Sequence, residues 1–306
     1  MMNSVLFSCV IPVKGPRPYF GEAVASLQGQ GLGAELEVIV QDGGDESEGV
    51  EECGSEGVRY YREDDDGQSD ALNRGFAKAK GEWLFWLNAD DVLLPGALKK
   101  VRELIGRVDG GGMDSRVERV ERVEGGGKNS RVECVERVDG ERKSGCVECV
   151  DWIAGDTVYI DERGIVTDVR RDARWYPWYG RHLSVWTGGP SAFFRRALWE
   201  RCGGFDESYR FMMDIDLWTR WAKAGERFVG LGDYLWGFRI HKGSLTMGGD
   251  NEAAKIEERK RLLTKHNLSA QGFWRNVTRV AQVLDGSWLR RQYDARTCRA
   301  VHWREV

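Results

Sequence analysis

Within the first 90 residues, four short apolar runs each stop at polar or acidic residues, and this pattern restricts the chain to a layered α/β fold. Leu6–Val13 is closed by Pro12 and Gly15, as suits a buried strand. Glu37–Val40 runs into Asp42-Gly43-Gly44, Val58–Arg62 forms a third run, and Trp83–Leu87 forms a fourth. Between and after them lie helix-like segments at Tyr19–Gln28, Gln68–Lys80 and Pro95–Ile105. Proline is well placed to open the last of these, because its missing N–H is unpaired in a first helical turn anyway. Strands alternating with helices imply right-handed crossovers and a mostly parallel sheet, with ligands bound outside the carboxyl ends of the strands. Asp42, Asp65, Asp66, Asp90 and Asp91 follow strand ends or precede helices, so they are expected to converge on one edge.

The pattern breaks at 106–149. Arg116-Val117-Glu118 repeats at Arg119, Arg122 and Arg131, and less faithfully to Cys146-Val147-Glu148. A period of three fits neither a helix stripe nor a strand face, and the segment reads as a low-complexity insertion. Cys146 and Cys149 fall inside the repeat with no second pair to complete a zinc site. Strand and hairpin patterns resume at Val150, helices read at Ala197–Cys202 and Met213–Lys223, and a last strand reads at Tyr234–His241. Residues 251–306 read as helical and hold twelve Lys or Arg against six Asp or Glu. In 270–306, seven Arg are interleaved with Phe273, Trp274, Val280, Leu284, Trp288 and Leu289, a pattern that suits either packing on the core or an anionic membrane.

No apolar run reaches the roughly 18 residues that a membrane-spanning helix needs. The N-terminal stretch has no positive charge before its apolar residues and reads as a strand, not as a secretory signal. A net charge of −4 argues against general nucleic-acid binding, which requires a basic surface. Seven scattered cysteines suit free thiols in a reducing cytoplasm.

The ordered set Cys9-Val10-Ile11-Pro12-Val13-Lys14, Val40-Gln41-Asp42-Gly43-Gly44, Gly67-Gln68-Ser69-Asp70 and Trp86-Leu87-Asn88-Ala89-Asp90-Asp91 resembles the family 2 glycosyltransferases of the GT-A fold. Gly203-Gly204-Phe205-Asp206-Glu207, Met213-Asp214-Ile215-Asp216 and Arg239-Ile240-His241 continue the resemblance, which covers residues 5–105 and 150–247. It implies an α/β, Rossmann-like domain over 1–250, with a mostly parallel central sheet flanked by helices, interrupted by the 106–149 insertion and followed by a helical extension over 251–306. It also implies transfer of a sugar from a nucleotide-sugar to an acceptor hydroxyl with inversion, assisted by Mn²⁺ or Mg²⁺.

The departing nucleoside diphosphate concentrates negative charge, which a hard cation held by oxygen ligands offsets. By resemblance, Asp90 is the second carboxylate of an Asp-x-Asp motif whose first position is here Asn88, an amide able to contact ribose or diphosphate. Asp91 is a further metal candidate or a helix cap, and His241 a metal ligand or a structural histidine. Asp42 matches the position that accepts a nucleobase N–H and would suit uracil or thymine. Pro12 and Lys14 match the nucleotide-cradling loop. Asp65, Gln68 and Asn73 lie around a helix start whose amides favour anions. Asp214 is the base candidate, matching the second acid of a Glu-Asp motif whose first position is Met213; it could equally be an N-cap. Asp156, Asp216 and Trp186 are acceptor-side candidates. Trp186 belongs to an aromatic set with Trp175, Tyr176 and Trp178, although thirteen tryptophans exceed what one sugar site could use. The acceptor implied is a carbohydrate, lipid-linked or protein hydroxyl. The rival readings are a nucleotidyltransferase, for which Lys14-Gly15-Pro16-Arg17 is a short glycine-poor loop, and a non-catalytic sugar-binding scaffold.

Overall fold

The computed structural model describes residues 5–15, 17–44, 57–109, 150–171, 178–180, 182–184, 189–244, 251–268, 271–284 and 286–306. The Arg-Val-Glu repeat from residue 110 onward, Trp175, Tyr176 and Trp186 lie outside the described residues.

The sheet grows from the N-terminal strands. β1 (Phe7–Val13), β2 (Leu36–Asp42), β3 (Val58–Arg62) and β4 (Trp83–Trp86) pair in parallel in the order β3-β2-β1-β4. The register sets Val13 opposite Asp42, and Asp42 opposite Arg62, so three strands end at one level. Antiparallel partners extend the sheet: β8 (Ala192–Arg195) joins β4, and β6 (Trp152–Ile160) joins β8. β9 (Phe228–Arg239) runs parallel to β6, and the short β5 (Val92–Leu93) closes the edge antiparallel to β9. β7 (Val166–Arg170) forms a hairpin with β6. The strand and hairpin pattern read from Val150 onward covers 151–153, 155–156 and 158–161. They are one strand with register shifts around Asp156, where Gly155 packs so closely on Leu235 that a Cβ would lie 2.2 Å from its Cγ.

Side-chain alternation along the strands builds two apolar layers. Phe7, Cys9, Ile11, Trp83 and Phe85 face α1 (Phe20–Gln28) and α3 (Ala97–Asp109). Val10, Leu84, Trp86 and Trp152 face α2 (Gln68–Ala77), α4 (Arg196–Cys202) and α5 (Met213–Ala224). Gly75 of α2 sits against β1, where a Cβ would come within 2.4 Å of Val10 Cγ1, so the close helix–sheet approach requires glycine. The tryptophans are mostly core. Trp152 stacks on Trp218 with ring centroids 5.1 Å apart, and Trp218 stacks on Trp86 at 5.9 Å.

Three helices follow the sheet: α6 (Glu252–Lys265), α7 (Gln271–Leu284) and α8 (Ser287–Thr297). α6 packs along the start of α5 through ion pairs, and α8 docks beside β7 through Arg171 and Asp294. The chain then pairs Val301 and Ala300 with Val166 and buries Trp303 among Val92, Leu94 and Val158.

Candidate active site

Where β1, β4 and β9 end, a cavity of about 480 Å³ opens. Pro12, Lys14, Asp65, Asp66, Gln68, Asn88 and Asp90 line it, so three of the five acids expected to converge do, while Asp42 and Asp91 do not. Arg17, Glu207, Tyr209 and Arg210 complete the wall. Sequence reasoning gave these four no site role, although Arg17 follows Lys14 by three residues and Arg210 lies just before the Met213-Asp214 motif.

Asp65 is locked in place. Its Oδ1 accepts the Gly67 N–H at 3.0 Å and lies 3.6 Å from Lys14 Nζ. Its carboxylate packs on Gly43, where no Cβ could fit, and burial raises its pKa. Gln68 donates to Asn88 Oδ1 at 2.8 Å, and Asn88 Nδ2 donates to Asp91 Oδ2 at 2.8 Å. Asp91 points inward and is 1% exposed, and its other oxygen accepts the Arg239 N–H at 2.8 Å. Burial, reinforced by the neighbouring Asp90 charge, pushes its carboxyl well above the usual range. Asp91 thus ties β9 to the loop after β4, while Asp90 faces the cavity.

His241 Nε2 lies 3.0 Å from Asp90 Oδ2. Gly243 N–H donates to His241 Nδ1 at 3.2 Å, which leaves the ring proton on Nε2, directed at Asp90. Two ligands on one hard cation at about 2.1 Å and right angles stand about 3.0 Å apart, so the spacing of the pair fits a shared ion. Carboxylate with imidazole also suits Mn²⁺. To bind an ion, Nε2 must lose its proton, so the turn at 241–244 would have to release Nδ1. Among the described residues no group of three or more His, Cys, Asp or Glu forms a ready-made cation cage.

The remaining candidates stand outside the cavity lining. Asp42 is fully buried and accepts from Tyr60 Oη, from Arg62 Nε at 3.2 Å and from the Gly44 N–H at 3.1 Å. Asn73 grips the Gly204–Glu207 stretch, donating to Phe205 O at 3.0 Å and Glu207 Oε1 at 2.8 Å. Asp156 pairs with Arg171 at 3.2 Å, on the side where Arg171 also holds Asp294 of α8. Asp216 is fully buried and bound by Arg220, Lys265 and His266 at 2.7–2.9 Å, a geometry that anchors α6 on α5.

Asp214 sits in the first turn of α5. The N-cap of that helix is Met212, so Asp214 is not the cap. Its Oδ1 accepts the Ile215 N–H at 2.8 Å. A Cβ on Gly189 would lie 3.2 Å from Asp214 Oδ2, which places that carboxylate against the turn leading into β8. Burial pushes its pKa up to about 6, with the Ile215 N–H pulling the other way. A carboxylate of that basicity is suited to accepting a proton near neutral pH.

Residues 8–149 match the family model described as Glycosyl transferase family 2. An uncharacterized glycosyltransferase of Rickettsia felis is 31% identical over 107 residues, covering 34% of this chain and 18% of the relative. A PGL/p-HBAD biosynthesis glycosyltransferase of Mycobacterium bovis is 31% identical over 112 residues, covering 34% of this chain and 43% of the relative. The chain thus spans less than half the length of these curated relatives. The fold matches S. aureus TarS 1–349 in complex with UDP-GlcNAc, with a TM-score of 0.57, 16% identity, and coverage of 87% of this chain and 67% of that one. It also matches the mannosyltransferase PcManGT of Pyrobaculum calidifontis in complex with GDP-Man and Mn²⁺, with a TM-score of 0.51, 18% identity, and coverage of 85% and 62%.

Proposed function

We propose that this chain, which carries a family 2 glycosyltransferase domain, transfers a sugar from a nucleoside-diphosphate sugar to an acceptor hydroxyl with inversion. The observation that carries this reading is the cavity at the strand ends, where Lys14, Arg17 and Arg210 stand with the Asp90–His241 pair. Cations beside a hard-ligand pair suit a diphosphate, and Tyr209 with Phe238 offers aromatic surface to a sugar or base. Asp90 and His241 would hold Mn²⁺ or Mg²⁺, and the ion would supply countercharge to the leaving diphosphate. Gln68 fixes the Asn88 amide, leaving it to contact the donor. For Asp42 to accept a base N–H, as a UDP- or dTDP-sugar reading requires, Tyr60, Arg62 or Gly44 would have to release one of its oxygens. Asp214 takes the proton of the acceptor hydroxyl as its oxygen bonds to the anomeric carbon and the bond to the diphosphate breaks.

The acceptor we assign is carbohydrate, lipid-linked or protein, within polysaccharide or glycoconjugate assembly. The name of the mycobacterial relative agrees with that role. A cytoplasmic enzyme touching the inner membrane face through 270–306 agrees with the free Cys9, Cys202 and Cys298. Among the described residues, no helix is long and apolar enough to cross a membrane.

The test is binding. Nucleotide-sugars with Mn²⁺ should raise the thermal midpoint, because they bind only the folded chain. Asp90→Ala should lose the Mn²⁺-dependent shift while its own midpoint holds. A variant that keeps the shift would overturn the metal assignment. Slow release of nucleoside diphosphate without acceptor supports transfer, pyrophosphate release points to a nucleotidyltransferase, and release of neither points to a scaffold.

A further inference from the structure

Nine large hydrophobic side chains are exposed among the described residues, and seven of them lie on α7 and α8. Scattered exposed apolar residues are ordinary on a protein surface, but such a concentration marks a binding face. On α7, Phe273, Val280 and Leu284 recur at spacings of seven and four and so share one side of the helix. They are 66%, 59% and 82% exposed. α8 adds Trp288, Leu289 and Tyr293. Each helix also exposes arginines: Arg275 and Arg279 on α7, Arg290 and Arg296 on α8. Other residues do the packing. Trp274 stacks on His182 at 4.3 Å and on Trp178 at 5.8 Å, and Trp178 Nε1 donates to Thr278 Oγ1 at 2.8 Å. On α8, Asp294 is held by Arg171 and Tyr234.

We propose that the exposed face of the α7–α8 pair is a docking surface for an anionic lipid bilayer. Apolar side chains flanked by arginine are what an interfacial helix presents to acyl chains and headgroups. Residues 271–297 hold five Arg against two Asp, and one of those acids, Asp294, is spent on Arg171. The surface does not rest on the transfer reading.

The test is co-sedimentation of the full chain with vesicles of phosphatidylcholine alone and of phosphatidylcholine with phosphatidylglycerol. Partition should be about ten-fold or more higher on the anionic vesicles and should fall with salt. Phe273→Ser with Leu284→Ser and Leu289→Ser should abolish it. Arg279→Glu with Arg290→Glu should remove the anionic preference. These side chains are exposed, so the thermal midpoint should hold in both variants. Wild type and variants pelleting alike, or none pelleting, overturns the surface. So does a concentration-dependent dimer that the same serine substitutions dissociate. Donor hydrolysis in solution is measured alongside. Vesicle binding without hydrolysis supports the surface and overturns transfer, and hydrolysis without vesicle binding does the reverse.

Discussion

Asp214 gives the sharpest residue-scale expectation. Burial raises its folded pKa to about 6, above the unfolded carboxylate value near 4. As a base it must be ionised, so turnover should fall about ten-fold per pH unit below about 6. The stability sign is opposite: the raised pKa favours the folded state at low pH, and that contribution is lost as pH rises through 6. Asp214→Asn should therefore cut kcat by about 10²–10⁴-fold, leave donor affinity unchanged and not destabilise the fold at pH 8. Near-normal turnover would remove Asp214 from the chemistry. Much at this scale was legible, because motif residues at strand ends must emerge at one edge once a parallel sheet is accepted. Pro12, Lys14, Asp65, Gln68, Asn88 and Asp90 meet there for that reason. The helical spacing allows Asp216 its pair with Arg220 four residues on, which forms at 2.9 Å, but the fates of Asp91 and Asp156 and the further partners of Asp216 were not legible. These lie far along the chain: Arg239, Arg171 with its link to α8, and Lys265 with His266.

At the scale of elements, α5 begins without a capping side chain of its own. Glu258 of α6 instead braces the turn before it, taking the backbone N–H groups of Arg210, Phe211 and Met212 at 2.8–3.1 Å. α6 grips the same stretch elsewhere. Arg261 donates to Ser208 O and lies over the Tyr209 ring at 4.3 Å, and Lys265 binds Asp206, whose pKa falls to about 2 because, against partial burial, the Ser208 hydroxyl and then Lys265 stabilise its charge. The stretch that α6 holds carries Tyr209 and Arg210 into the cavity proposed to take the donor. Glu258→Gln keeps an acceptor oxygen but loses the charge that three N–H groups favour. It should cost about 1 kcal/mol, as weakening hydrogen bonds to a charged acceptor does, and raise donor KM about five-fold with a smaller effect on kcat. An equal fall in kcat at unchanged KM would argue against this role. Periodicity located α6 but not what it holds, since neither Glu258 nor the 210–212 backbone carries a motif. Periodicity also shortened β9: Gly230 and Gly232 interrupt its apolar pattern, and a bulged pairing with β6 restores continuity.

At the scale of the molecule, one buried guanidinium joins distant parts of the chain. Arg239 is 1% exposed and donates to Asp90 O at 2.9 Å, to Asp161 O at 3.1 Å and to the Glu22 carboxylate. Glu22 also accepts from Trp303 Nε1 at 3.2 Å, so the C-terminal turn shares a contact with the loop that presents Asp90. Trp303→Ala should destabilise by about 3–5 kcal/mol, as buried tryptophan truncations do, and lower the thermal midpoint by several degrees. Because Glu22 loses a partner as well, Mn²⁺-dependent nucleotide affinity should weaken. A drop in midpoint with unchanged affinity would show that the tail supports the fold alone. The Arg239 junction also fixes an order of events on the ribosome. Asp91 and the Arg239 N–H it binds are 148 residues apart in the chain. At about 5–20 residues per second, roughly 7–30 s of synthesis separate them. Through that interval the acidic strand ends are made without the strand that seats them, and the proposed donor site can be complete only once β9 has emerged.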